Sequence, residues 1–207
     1  MSRSEFEVLS ELVARRRDVR RFQTDAVDIT LLDDVFRLVE LSPSVGNSQP
    51  WRWVSVDEPA LREKVQTNFE EANRRAREAV STDKKELYDS LKLAGLKEAP
   101  VQFAVFCDPE TAQGDGLGRQ TMPEALHYSV VCALMTFWLA AKAKGLGVGW
   151  ISILDSEAIS KLLGVPSTWE LIAYLCVGYP MEEHYDPELE RFGWQDRVWS
   201  RENIFRR

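Results

Sequence analysis

Five arginines, Arg15, Arg16, Arg17, Arg20 and Arg21, fall within seven positions and surround one acid, Asp18, in the run RRRDVRRF. Guanidinium groups stay charged at any working pH and meet phosphate oxygens in a two-pronged fork, so this density suits a phosphate anchor. The same run, taken alone, also fits a solvated basic patch. Asp18 is the odd member, an acceptor among donors. A second constellation, SPSVGNSQPW from Ser42 to Trp51, joins small residues to paired prolines. That composition makes a tight polar loop which lets backbone approach a ligand, or simply a turn into a strand. In a third, Gly145, Gly147 and Gly149 lead to Trp150 and Ser152. The glycines are two apart, after a helix and before a strand, which is the wrong order for a dinucleotide-binding fingerprint. Alternation along that strand would put Trp150 and Ser152 on one face.

Other chemistries have little material. Ser129 and Ser152 lack a nucleophile-elbow context, and His127 reads as a core or interface residue. Two histidines and three isolated cysteines (Cys107, Cys132, Cys176) without a CxxC pair argue against a zinc centre and a disulfide framework. The thiols are expected to be buried and reduced. With 26 basic and 33 acidic residues, a net charge of −7 and a pI near 5.1, the chain lacks the general electrostatic footprint of a nucleic-acid binder. The uncharged stretch 125–141 is shorter than the roughly 18 residues of a membrane span, and residues 1–11 show no signal-like apolar run. A cytoplasmic protein without a membrane, nucleic-acid or metal partner is the expectation.

The elements that must position these groups follow from periodicity and caps. Helices are expected over residues 4–16, from the N-cap Asp28 to before Pro43, and over 59–79, 84–97, 123–144 and 157–163. Strands are expected over 51–56, 101–107, 148–154 and 171–177, with a Gly-rich loop at 109–120. The pattern is α+β, with a mixed central sheet flanked by helices, in one domain over 1–207. The helix 123–144 is apolar nearly all round and should be buried on all sides, in a core or at a subunit interface. An arm from about 180 to 207 has too little apolar material to fold alone and is expected to wrap across another subunit.

At these constellations the sequence resembles the nitroreductase superfamily of flavoproteins, and within it the branch that makes 5,6-dimethylbenzimidazole, the lower ligand of cobalamin. RRRDVRRF resembles the flavin-anchoring motif and PSVGNSQPW the second flavin loop. LKLAGLKEAP, LGRQTMPE, LAAKAKGLGVGWISIL and PELERFGWQDR follow in the family's order. The resemblance implies an interlocked homodimer with FMN at the subunit interface. Arg16, Arg17 and Arg20 would hold the phosphate and polar edge, with Val19 beside them, and Arg197 would assist. Pro43 and Ser44 would come from the partner subunit, and Leu91 and Lys92 from a helix over the ring. Asp18 and Ser152 would be catalytic as well as flavin-binding. The implied reaction is an O2-dependent fragmentation of reduced FMN to 5,6-dimethylbenzimidazole and a four-carbon sugar phosphate. The reduced flavin would be supplied by a separate flavin reductase. A conventional FMN-dependent nitroreductase or NAD(P)H oxidoreductase, and a non-catalytic flavin-binding protein, remain as alternatives.

Overall fold

The structure is a computed structural model describing residues 3–198 and 204–207. Its centre is the dense apolar run Val101–Cys107, which forms strand β2 and has a strand on either side. Trp51–Ser55 (β1) pairs with one edge and Glu170–Gly178 (β4) with the other, and Gly147–Ile151 (β3) pairs with β4. The order is β1-β2-β4-β3 and every ladder is antiparallel. The parallel component of the expected mixed sheet is confined to one bridge, Asp18 to Val148, where the arginine run lies along the free edge of β3.

Helices cover both faces. On one side lie Ile29–Val39 (α2), capped by Asp28 through the Thr30 N–H, and Ala125–Ala143 (α5). They close an apolar layer in which the rings of Phe36, Trp53, Phe103 and Phe137 meet mostly edge to face. On the other side Pro59–Glu78 (α3) and Ser156–Leu163 (α6) pack with Phe22, Phe106, Ile151 and Tyr174. Glu5–Arg15 (α1) opens on a capping box between Ser4 and Glu7 and delivers the arginines at its C-terminal end. The short Glu188–Arg191 helix (α7) follows the last strand.

Three expectations change, at 84–97, Ser152 and Cys132, and that for α5 is met in part within one chain. The helix expected over 84–97 is only Lys85–Ser90 (α4); the following residues leave the helix. Tertiary contacts override periodicity here, because Gly95 packs against Phe22 and the Lys92 carbonyl accepts from Arg20. Strand β3 stops at Ile151, so Ser152 lies beyond it and strand alternation does not set its direction. Within one chain, α5 is buried on one side alone. Leu126, Val130, Ala133, Leu134 and Phe137 face the sheet, whereas Tyr128, Val131 and Met135 are exposed. Cys132 is exposed too, unlike Cys107 and Cys176. By length and composition α5 could cross a membrane; in this fold it packs one side against the central sheet.

The approach of the arginine run to β3 depends on a missing side chain. A Cβ at Gly149 would stand 2.2 Å from the Val19 carbonyl oxygen, a backbone atom that cannot rotate away. Gly149→Ala should therefore destabilise the fold by about 3 kcal/mol, the upper end of overpacking costs, read as a lower denaturant midpoint. An unchanged midpoint would mean that residues 18–19 can lift off the sheet without cost.

Candidate functional site

The arginine run is held on the sheet by Asp18. Val19 donates its N–H to the Val148 carbonyl at 3.0 Å, which brings the Asp18 carboxylate over the free edge of β3. Oδ1 accepts the Trp150 N–H at 2.8 Å, and Oδ2 accepts from Arg20 Nε at 3.1 Å. Arg20 is itself fully engaged, since it also donates to the Lys92 carbonyl at 3.2 Å and lies 4.0 Å from Glu188. Burial pushes the Asp18 carboxyl above the usual carboxylate range, although Arg20 and the Trp150 N–H pull the other way. The result is an acid held in fixed geometry whose proton is retained more readily than in water.

The five arginines divide into two sets. Arg15 pairs with Glu183 at 2.5 Å, and Arg21 with Glu182 at 3.2 Å and Glu188 at 2.8 Å. Lys142 also reaches Glu183, at 2.7 Å. Arg16 and Arg17 have no such carboxylate among the described residues. Arg16 instead lies over the Trp138 ring, 4.7 Å from its centroid, and Trp138 Nε1 donates to the Arg17 carbonyl at 3.2 Å. The Nε groups of Arg16 and Arg17 are buried without a hydrogen-bond partner. Burial holds both guanidinium pKa values below the ordinary arginine value, and the nearby Arg197 charge adds to the effect. A cavity of about 40 Å³ sits among these groups, lined by seven cationic side chains and five carboxylates. An excess of positive charge with orphaned buried donors suits an anion.

Asp18, Val19, Arg16, Arg17, Arg20 and the Lys92 backbone thus meet at one place, with Arg197 close enough to be felt by Arg16 and Arg17. Ser152 is exposed just past β3, two residues beyond the Trp150 amide that Asp18 holds. Leu91 is the cap residue after α4, half-buried, and borders with Lys92 a neighbouring cleft of about 350 Å³. Pro43 and Ser44 do not join the cluster within one chain. Pro43 lies on an apolar surface with Leu12, Leu41 and Met135, and Ser44 Oγ accepts the Gln49 N–H at 3.1 Å. His127 pairs with Glu170 at 2.6 Å and takes no part.

Sequence reasoning missed Trp138 and the acidic partners Glu182, Glu183 and Glu188. The run MEEHYDPELE carried a signal, since its acids complement the arginine run. The arm expected to reach another subunit begins by folding back: Met181 N–H donates to the Arg21 carbonyl, and Phe22 bridges to Pro180. Residues 199–203 of that arm lie outside the described residues.

The nitroreductase family model matches residues 13–179. The chain belongs to the nitroreductase family. Among its relatives is the 5,6-dimethylbenzimidazole synthase of Rhodospirillum rubrum, 51% identical over 189 residues that cover 91% of this chain and 90% of that protein. The synthase of Rhodobacter capsulatus is 42% identical over 198 residues, covering 94% and 96%. A solved iodotyrosine deiodinase bound to FMN and 3-iodo-L-tyrosine superposes with a TM-score of 0.74 at 27% identity, over 95% of this chain and all of that one.

The Asp18 environment sets a titration. Its carboxyl should titrate above its ordinary value of 3.8, as read by NMR of the labelled side chain. The folded chain then holds this proton more tightly than the unfolded one, so this group's contribution to stability falls as pH rises through the interval above 3.8. A value below 3.8 would mean that Arg20 and the Trp150 amide outweigh burial.

Proposed function

We propose that the protein is a 5,6-dimethylbenzimidazole synthase, taking reduced FMN and O2 to 5,6-dimethylbenzimidazole and a four-carbon sugar phosphate. The observation that carries this reading is 51% identity to such a synthase along nine-tenths of the chain. The site agrees with it, because the Nε groups of Arg16 and Arg17 are buried without a partner beside an acid whose pKa is raised by burial. When bound, reduced FMN supplies both the electrons that O2 takes up and the carbon skeleton of the product.

This chain's own residues do the rest. Arg16 and Arg17, with Arg197, hold the phosphate. Arg20 is occupied by Asp18, Lys92 and Glu188, so its part is to orient Asp18 at the polar edge of the ligand. Asp18 moves protons at its free carboxylate face, helped by a raised pKa. Ser152 offers its hydroxyl at the end of β3, and Val19, Leu91 and Lys92 form the wall. In this reading a separate reductase supplies the reduced flavin.

The second subunit is part of this reading. The exposed face of α5 continues into Leu12, Leu38, Leu41 and Pro43, an apolar surface of the kind a homodimer covers. A partner seated there would bring its own Pro43 and Ser44 toward the ring.

The defining experiment mixes the protein anaerobically with excess reduced FMN, admits air and analyses the products. A benzimidazole is the expected result; intact reoxidised FMN alone would point to a hydride-shuttling oxidoreductase instead. Arg16→Ala should weaken FMN binding by about 1.5–3 kcal/mol and leave riboflavin binding nearly unchanged, measured by calorimetry or flavin fluorescence. Equal losses for both flavins would remove the phosphate role. In sedimentation the native protein should run near twice its 23.7 kDa mass, and Met135→Glu should lower both assembly and flavin binding. A monomer that binds flavin fully would refute the shared site.

A further inference from the structure

One polar chain in the interior is left unused by the reading above. Tyr174 on β4 is fully buried, and its hydroxyl donates to Gln102 Oε1 at 2.8 Å. Gln102 on β2 is 1% exposed, and its Nε2 donates to the Leu96 carbonyl at 2.8 Å. Polar groups in an apolar core are costly unless satisfied. Here the amide is fixed from both ends, because the hydroxyl needs its oxygen and the carbonyl needs its NH2.

The Leu96 carbonyl ends the segment 91–96, which is neither helix nor strand. Its other end is tied down as well, where Arg20 holds the Lys92 carbonyl at 3.2 Å. Between these ties Gly95 sits against Phe22, where a Cβ would come within 2.5 Å of the ring. A segment without regular structure is thus fastened at both ends and wedged in the middle. The fastening at Leu96 comes from the sheet itself.

We propose that Gln102 and Tyr174 are positioning residues that set segment 91–96 as a rigid wall for the flavin ring before the ligand arrives. This rests on the flavin reading, which puts Leu91 and Lys92 at the ring. A loose segment would lose its conformational entropy on binding, whereas a fastened one has lost it on folding and leaves affinity and geometry intact. The wall is distinct from the phosphate end at Arg16 and Arg17, so its effect reaches every flavin, phosphorylated or not.

The test compares FMN and riboflavin affinities for the native protein and Tyr174→Phe, well below the melting temperature. The variant deletes one hydroxyl and keeps the ring. Both affinities should fall together, by roughly three- to tenfold, with their ratio preserved. Unchanged affinities beside a lowered melting temperature would make the pair merely structural and overturn the inference, as would a loss confined to FMN. Native protein that binds neither flavin overturns the flavin reading and this inference with it. Should the variant fail to fold, hydrogen exchange in the unliganded native protein decides. The Gly95 amide, which bonds to buried Cys176, should exchange as slowly as those of β2, and fast exchange through local opening would overturn the proposal.

Discussion

The Asp18 carboxylate makes two bonds on which the rest of the site depends. One goes to the Trp150 amide at the edge of β3, the other to Arg20, which in turn holds the Lys92 carbonyl. Three pieces of chain far apart in sequence, the arginine run, the segment after α4 and the end of β3, are thereby fixed to one carboxylate. The arrangement requires glycine at 149 and at 95, where the chains come closer than any Cβ allows. Both bonds favour the ionised acid, and burial works against them and raises its pKa.

From this anchor the charges sort themselves. Arg15, Arg20 and Arg21 are met by carboxylates, most of them from the segment after the last strand. Arg16 and Arg17 are left to stack and to donate. An acidic protein can hold an anion here because its acids are spent on the neighbouring arginines and not on these two. The acidic segment therefore has as much to do with anion binding as the basic one, by neutralising whatever the ligand does not need.

The elements were legible where local pattern decides. The run Val101–Cys107, the Asp28 cap and the α5 helix were readable because apolar spacing and capping are local properties. The helix over 84–97 was not, because its second half is pulled out of helical geometry by Arg20 and Phe22, distant in sequence, and by Gln102 on the following strand. Ser152 was assigned a strand position that β3 does not reach. At the site, the arginine cluster and its central acid were visible from composition alone, and the likeness to nitroreductases supplied roles for them. The division among the arginines was invisible, since it is set by which carboxylate folds back onto which guanidinium. Trp138 was hidden as one more apolar residue on a helix, and its place under Arg16 and its bond to the Arg17 carbonyl give it a part in the site.

The central claim is that Asp18 performs chemistry and does not merely hold the arginines in place, and Asp18→Asn addresses it most directly. The amide keeps the shape and its oxygen can still accept the Trp150 N–H, while its NH2 gives up the bond from Arg20; with Arg16 and Arg17 untouched, reduced FMN should bind within about tenfold of native affinity. Benzimidazole formation, measured on the same preparation, should fall by roughly 10²-fold or more, the scale of a lost acid–base group. Product formation at the native rate would contradict the account and leave Asp18 a structural partner of Arg20 and Trp150.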